Sequence, residues 1–237
     1  MADNATSNLE LPLLLPAQAQ KHVTVNDALV RLDGAVDLVL QSISRTTPPT
    51  PVSEGLCWAV PSGAVNAWEG QAGKVAIGVN GGWVFVRPRF GRRAMIVDRG
   101  VTAIHDGTNW VAGALSLGQH GAGMLVGQAS EDVTIQSGAT VTTSMAIPSG
   151  VMVVGATARV LTAITGSLTS WSLGHSDAVN RFGEGLGKSA ASWSRGILGA
   201  PMTYWTPSPL RLTAVGGQFA TGKVRIVVHW RELRLPD

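Results

Sequence analysis

Residues 182–189 contain the glycine-rich segment that most resembles a nucleotide site. Gly183–Ser189 reads GEGLGKS and ends with the Gly-Lys-Ser of a P-loop. A P-loop also needs a glycine at the position that Phe182 occupies here, and no strand–helix pattern surrounds the segment. We therefore predict no nucleotide and no other cofactor.

The same region holds groups that could act in hydrolysis. His175, Ser176 and Asp177 are adjacent in the sequence, whereas a catalytic triad brings its groups together from separate elements. Glycoside hydrolysis needs two carboxylates flanking the bond, and Asp177 and Glu184 are the plausible pair in this stretch. Such residues are more often turn formers or solvated charges. We expect no catalytic residue and no enzyme activity, with polysaccharide hydrolysis as the alternative.

Metal and disulfide chemistry are not indicated. The single cysteine, Cys57, excludes an intrachain disulfide and a cysteine-based metal site. The histidines lack the spacing of metal ligands; they are His22, His105, His120, His175 and His229.

The strongest binding signal is the stretch Trp171–Trp205, which combines aromatic, acidic, amide, imidazole and guanidinium groups with many Gly and Ser residues. Sugars stack their apolar faces on aromatic rings and pair their hydroxyls with such polar groups, and Arg also pairs with acidic sugars. Taken singly, each residue is explained as well by a place in the core or on a solvated surface. Taken together, they predict a carbohydrate site in loops. The candidates are Trp171, His175, Asp177, Asn180, Arg181, Glu184, Trp193, Arg195, Tyr204 and Trp205.

The elements that position these residues are predicted to be strands. The chain has 237 residues, of which 29 are Gly, and only 14% are charged, which is typical of a turn-rich, all-β protein that buries surface against other chains. Evenly spaced strands in residues 128–237, with no helical periodicity, predict an antiparallel β-sandwich that is jelly-roll-like. The predicted strands are Val133–Ile135, Thr140–Ile147, Val151–Ala163, Ser170–Leu173, Leu210–Ala214 and Lys223–Arg231.

Residues 53–117 predict a smaller β-meander domain. Lys74–Val79 and Trp83–Val86 flank Asn80-Gly81-Gly82, which is a strong hairpin signal. Residues 118–127 are rich in glycine and predict a flexible joint to the sandwich. The tryptophans of the meander are expected mainly in its core, although some could stack on sugar; they are Trp58, Trp68, Trp83 and Trp110.

Residues 1–24 predict an N-terminal docking arm. Pro12 and Pro16 favour extended backbone around an apolar run of leucines that has little local core to join. We expect these leucines to dock on another protein, and the alternative is a strand of the chain's own sheet. They are Leu11, Leu13, Leu14 and Leu15.

Residues 25–52 predict a helix followed by a proline-rich, extended linker. Thr24 and Asp27 have the spacing of a capping box at the start of the helix. A short heptad helix needs support, so two interpretations stay open: an amphipathic helix lying on its own domain, and a bundle that makes a homotrimer. The heptad residues are Val25, Leu29, Leu32, Val36, Val39 and Ile43.

Charge and the N-terminal sequence limit the partners and the location. A net charge of +3 is too small to indicate a nucleic-acid partner. Basic residues are scattered, apart from Arg87, Arg89, Arg92 and Arg93. There is no basic start of a signal peptide, and the leucine run is too short to span a bilayer. We expect synthesis in the cytoplasm and no membrane insertion, with release by lysis as part of a particle.

A resemblance to a known family is carried by three segments, LPLLLPAQAQKHVTVNDALVRLD, NGGWVFVRPRFGRRAMIVDRGV and HDGTNWVAG. Residues 9–114 resemble a family of alphaproteobacterial phages, prophages and gene transfer agents that includes head-spike and fibre proteins. The remaining residues resemble the receptor-binding sandwiches of that family only in pattern.

The resemblance implies a homotrimeric virion spike that docks on a capsid or spike-base protein and binds bacterial surface (capsular) polysaccharide through its C-terminal part. Three classes of protein remain: a spike or fibre that binds polysaccharide, a spike that cleaves it, and a purely structural adaptor.

Overall fold

The computed structural model describes residues 5–15 and 21–237. Residues 1–4 of the expected arm and residues 16–20, which hold most of the PAQAQKH motif, lie outside the described residues. In the described ranges the protein is mostly β-structure with one short helix, as predicted in outline. It divides into two compact units, Met1–Gly123 with Leu235–Asp237, and Met124–Arg234.

The helix α1 spans Lys21–Ala35 and is shorter at its end than the heptad pattern predicts. Asp37 adopts a positive φ of 47°, which a right-handed helix cannot contain. Val39 then begins a strand and Ile43 follows that strand, so the predicted helix beyond Ala35 is wrong. Thr24 lies inside α1 and is not its N-cap. No helix within the described ranges has the length and apolar character needed to cross a bilayer.

The sheet of the first unit has seven strands in the order β4-β3-β2-β1-β5-β6-β7. Its centre differs from the predicted meander, because β1 pairs in parallel with both β2 and β5. The strands of this unit are β1 (Val39–Leu40), β2 (Cys57–Ala59), β3 (Val75–Val79), β4 (Gly82–Val86), β5 (Arg93–Ile96), β6 (Val101–His105), β7 (Trp110–Ala112) and β8 (Ala114–Leu117).

The segment that forms β1 has the period of a strand rather than that of a helix. Leu38 and Leu40 are buried and Val39 between them is exposed. Leu38 and Leu40 therefore contribute to the core of the sheet, where they pack with Ile77 and Ile96.

The β3–β4 hairpin confirms the predicted turn. Asn80 and Gly81 both have positive φ angles, 49° and 70°, as a type I′ turn requires. The turn places Val79 opposite Gly82. The carboxylate of Glu54 accepts hydrogen bonds from the backbone N–H groups of Asn80 and Gly81, which fixes the turn further.

The second unit contains two antiparallel sheets. One has the order β10-β15-β12-β13, and the other contains β14-β11-β16-β9 in that order. The strands are β9 (Gly123–Ile135), β10 (Thr140–Ile147), β11 (Val151–Gly166), β12 (Ser170–His175), β13 (Ala178–Leu186), β14 (Trp193–Tyr204), β15 (Ser208–Val215) and β16 (Phe219–Arg234).

Both sheets of the second unit face one apolar core, which makes the unit a β-sandwich. Alternate residues of β15 and β16 point inward, and Leu210, Leu212, Val224, Ile226 and Val228 are fully buried. The core consists mainly of Val, Ile and Leu, whose branched side chains suit a pleated surface.

Two segments predicted to be irregular are strands. β9 includes residues 123–127 of the predicted joint, and β13 and β14 occupy much of the stretch that was predicted as loops. A glycine in β14 has a packing role that the glycine-rich composition of this stretch did not indicate. A Cβ at Gly196 would collide with the carbonyl oxygen of Phe182 on β13, so glycine permits the two strands to approach closely.

Candidate functional site

Most of the predicted carbohydrate residues lie on two neighbouring edge strands, β13 and β14. β13 ends one sheet and β14 ends the other. The hydroxyl of Ser194 on β14 lies 3.5 Å from the carbonyl oxygen of Phe182 on β13, to which it donates a hydrogen bond. The predicted residues on or directly after these strands are Asn180, Arg181, Glu184, Trp193, Arg195, Tyr204 and Trp205.

The outer face of β14 carries an exposed row of apolar and basic side chains. Trp193 is 65% exposed and Ile197 is 74% exposed, while Ser194 between them is buried. The guanidinium carbon of Arg195 lies 5.8 Å from the centre of the Trp193 ring, within the range of a cation–π contact. Arg159 of β11 pairs with Trp193 across the sheet. Sequence reasoning missed Ile197, although the alternation from Trp193 onward would have indicated it.

The remaining two tryptophans of the predicted site have opposite environments. Trp205 follows the last residue of β14 and is 81% exposed. Trp171 on β12 is only 2% exposed, and its indole N–H donates to the carbonyl oxygen of Gly187 at 2.9 Å. Because its ring is enclosed in the sandwich core, Trp171 cannot stack on a sugar in this conformation and is removed from the candidate surface.

Three polar side chains meet near the Tyr204 end of β14. His175 is the last residue of β12, Arg181 is on β13 and Tyr204 is the last residue of β14. The rings of His175 and Tyr204 contact edge to face, with centroids 5.6 Å apart. Three of their polar atoms are buried and have no hydrogen-bond partner: Nε2 of His175, Nε of Arg181 and the hydroxyl of Tyr204.

The electrostatics of this group define which atoms carry protons. Burial lowers the pKa of His175 and the positive charge of Arg181 lowers it further, against an opposing effect of Asp177. Burial raises the pKa of Tyr204, which Arg181 partly offsets. At neutral pH, His175 is therefore neutral and Tyr204 keeps its proton. The backbone N–H of Asp177 donates to Nδ1 of His175, at 3.4 Å, so the imidazole proton lies on Nε2.

The carboxylate of Glu184 is engaged elsewhere. The side-chain amide of Asn180 donates to it at 2.9 Å, and both residues are exposed on β13. None of the ion pairs among the described residues involves Arg181, so its charge is unpaired within that part of the chain.

Residues 6–9 of the predicted docking arm are bound to the chain's own helix. The buried carboxylate of Asp33 in α1 accepts hydrogen bonds from the Thr6 hydroxyl at 2.6 Å and from the backbone N–H groups of Asn8 at 3.1 Å and Leu9 at 2.6 Å. This part of the predicted arm therefore belongs to the first unit rather than extending from it.

The predicted docking leucines differ in exposure. Leu11 and Leu13 are half-buried, whereas Leu14 and Leu15 are exposed, Leu15 to 63%. The backbone of Leu14 exchanges two hydrogen bonds with the side-chain amide of Asn26. Leu14 and Leu15 remain candidates for docking.

Apolar residues of the heptad pattern also remain on the surface. Leu32 is 50% exposed, and Val25, Val36 and Val39 are exposed to a similar degree, whereas Leu29 and Ile43 are half-buried. The homotrimer stays a prediction. Its contact residues cannot form a continuous helical seam, because Val36, Val39 and Ile43 lie beyond the end of α1.

The four arginines noted in the sequence line two grooves of the first unit beside the end of α1. Arg92 and Arg93 border a groove of about 600 Å³, and Arg87, Arg89 and Arg92 border one of about 230 Å³. Ala35 and Leu38 contribute to both grooves.

Metal and thiol chemistry have no evident site in the ranges that the structure describes. No group of three His, Cys, Asp or Glu side chains in those ranges is placed to hold a metal ion. Burial raises the pKa of the Cys57 thiol to about 12, and the nearby charge of Asp33 adds to the shift. Cys57 therefore stays protonated and unreactive at neutral pH.

Comparisons with known proteins match part of the chain to a described family. Residues 25–111 match a family described as a protein of unknown function (DUF2793). A solved structure described as the cyanophage Pam1 capsid asymmetric unit is similar at 21% sequence identity and a TM-score of 0.30, covering 52% of this chain and 93% of that chain. That likeness is too weak to assign a fold or a function. No curated protein matches the chain.

Proposed function

We propose that the protein is a spike or fibre component of a phage-like particle, either a phage or a gene transfer agent, and that its second unit binds bacterial capsular polysaccharide without cleaving it. The single observation that carries the binding proposal is the exposure of Trp193 and Trp205 at the two ends of one edge strand. The resemblance of residues 9–114 to head-spike and fibre proteins supports the proposal that the protein is part of such a particle.

The strand order of the second unit supports a jelly roll. Its eight strands, counted from β9, lie in the orders 1-8-3-6 and 2-7-4-5. This arrangement pairs the first strand with the last and the second with the seventh, as two nested Greek keys do. Jelly rolls serve both in viral capsids and in lectins, which suits a binding module on a particle.

The proposed polysaccharide lies along β14. Trp193 and Tyr204 lie opposite Arg159 and Val151 of β11, which are eight residues apart, so Trp193 and Trp205 stand roughly 30 Å apart at about 3.3 Å per residue. Each ring offers a face for a sugar, worth on the order of 1 kcal/mol beyond the area buried. Arg195 beside Trp193 adds a hydrogen-bond donor for hydroxyl or acidic groups.

The exposed tryptophans also distinguish the proposal from a structural adaptor, which would present a polar, flat face without exposed aromatic rings. A glycan array of the full-length chain tests the binding. Trp193→Ala and Trp205→Ala are expected to weaken binding about fivefold each, while Phe90→Ala, which removes an exposed aromatic ring of the first unit, leaves it unchanged. Equal binding by all three variants would contradict the proposal.

The cleavage alternative has its own measurement. Wild-type protein incubated with purified capsule should release no reducing ends. If wild-type protein released reducing ends and Glu184→Gln did not, the function would be hydrolysis of the polysaccharide and not binding alone.

The assembly proposed is a homotrimer that docks on a capsid or spike-base protein through Leu14 and Leu15. Three copies of a weak site raise avidity by orders of magnitude, because the later contacts are intramolecular. Light scattering should show a trimer at micromolar concentration and its dissociation in Leu32→Asp.

Leu15→Asp should leave the trimer intact and remove the protein from particles. Normal incorporation of Leu15→Asp would contradict the docking role.

A further inference from the structure

The group His175, Arg181 and Tyr204 has more buried hydrogen-bond donors than the protein satisfies. Each of the three contributes one buried polar atom without a partner, and the three come from separate strands. An unsatisfied buried polar group costs about 1–3 kcal/mol, so native proteins leave few of them. The rings of His175 and Tyr204 are in contact and the charge of Arg181 acts on both, so one group from outside the chain would complete all three.

All three unpaired atoms can donate, and the hydroxyl of Tyr204 can also accept. Nε2 of His175 carries the imidazole proton, because Nδ1 accepts from the backbone of Asp177. Nε of Arg181 can only donate. Tyr204 is 7% exposed, so its hydroxyl is enclosed with these groups rather than directed to solvent.

An acceptor that reaches all three atoms satisfies this set, and the charge of Arg181 favours a negative one. The carboxylate of Glu184 on β13 is occupied by Asn180, and that of Asp177 acts on His175 through its charge without a hydrogen bond to the three unpaired atoms. No carboxylate in the described part of the chain forms an ion pair with Arg181, which favours an oxyanion from outside as the partner.

We propose that His175, Arg181 and Tyr204 form a binding site for the carboxylate of an acidic sugar residue. The proposal rests on the polysaccharide function above and narrows it to an acidic polymer. Trp205 follows Tyr204 directly along the chain, and its exposed ring is free to stack on a sugar of the same polymer. A phosphate substituent shares the same oxyanion chemistry, and the experiment separates the two.

The test uses full-length protein with ¹³C-labelled histidine, titrated with sodium glucuronate, glucose or inorganic phosphate and followed by the ring resonances of His175. Glucuronate should shift these resonances and glucose should not. Tyr204→Phe keeps the ring and removes one donor, so it should weaken glucuronate binding about tenfold. Arg181→Gln should weaken it further. Arg231→Gln, which removes an exposed arginine on β16 of the same unit, is the matched control and should bind as wild type.

The outcomes separate this site from the proposed function. Phosphate binding without glucuronate binding overturns the carboxylate assignment, and unchanged His175 resonances with both anions overturn the site. A protein that binds capsule equally well as wild type and as Tyr204→Phe also overturns the site, while the polysaccharide function stands. Binding of glucuronate by a protein that ignores every polysaccharide supports the site and removes the function. Far-UV circular dichroism of each variant confirms that it is folded.

Discussion

The two units of the protein differ in how many tryptophans they leave in solvent. In the first unit, Trp58, Trp68 and Trp83 pack ring against ring with centroids 5.2 to 6.1 Å apart, and Trp58 and Trp68 are buried. In the second unit, Trp193 and Trp205 project from β14 into solvent. The first unit therefore packs these tryptophans against one another, whereas the second unit buries Trp171 and exposes two others.

The difference follows from what else each unit can bury. The second unit has long strands whose alternate Val, Ile and Leu residues fill the space between two sheets. The first unit has strands of two to five residues, so a few large rings supply part of its buried area beside the aliphatic cluster around β1. Exposed tryptophans are not needed for stability in the second unit, which is why we assign them to binding.

Paired tryptophan variants test this contrast with the largest expected effect. Trp68→Ala removes a fully buried ring and should lower the free energy of unfolding by about 3–5 kcal/mol. Trp205→Ala removes an exposed ring and should change stability by less than about 0.5 kcal/mol while weakening polysaccharide binding. Denaturant unfolding measures both, and a stability loss in Trp205→Ala comparable to that in Trp68→Ala would break the comparison.

Charged groups show the same contrast, since Asp33 of the first unit is fully bonded and Arg181 of the second is not. Asp33→Ala should lower the unfolding free energy by about 3 kcal/mol, because buried Thr6 and the backbone groups near it lose a charged acceptor. Hydrogen exchange should show residues 6–9 opening. The control is Asp27→Ala, which breaks only an exposed pair with Arg31 and should cost less than about 1 kcal/mol.

Gly34 of the first unit tests how closely α1 packs on the sheet. A Cβ at Gly34 would lie 2.7 Å from Cδ1 and 2.9 Å from Cγ2 of Ile77 on β3. Gly34→Ala should therefore destabilise by about 1–2 kcal/mol despite the better helix propensity of alanine. Ile77→Val removes Cδ1 and should recover part of that loss. A double-mutant cycle with no coupling would show that α1 is free to shift on the sheet.

Local sequence patterns correctly predicted those elements whose structure depends mainly on their own residues. Asn80-Gly81 requires a type I′ hairpin wherever it lies between strands, and Thr140–Ile147 forms a strand with the predicted bounds. The heptad pattern failed after Ala35 because Leu38 and Leu40 find partners in distant strands, which a local periodicity cannot reveal.

The candidate site was predicted in part for the same reason. Its residue types were identified from composition, but their separation into an exposed row and an enclosed donor group depends on pairing. Trp171 and Trp193 both lie in the stretch predicted to bind sugar, yet Trp171 faces the core of the sandwich and Trp193 faces outward. Strands β13 and β14 were missed because their glycines, such as Gly196, serve close packing rather than turns.

The smallest expected effect concerns histidine protonation, and it compares His105 of the first unit with His175 of the second. Burial lowers the pKa of both, opposed by Asp106 at His105 and aided by Arg181 at His175. The folded protein thus binds fewer protons than the unfolded chain, so this contribution to stability is present above the unfolded pKa of about 6.5 and is lost as the pH falls below it.

Only His175 should respond to ligand. Arg181, Asp177 and Tyr204 are the titratable groups around it, and a bound carboxylate offsets the charge of Arg181. Glucuronate should therefore raise the pKa of His175 and leave that of His105 unchanged, as an NMR titration of the imidazole resonances would show. Arg181→Gln should raise the pKa of His175 without any ligand and abolish the response to glucuronate. Equal responses of the two histidines would mean that the anion acts on the protein as a whole and not at the donor group.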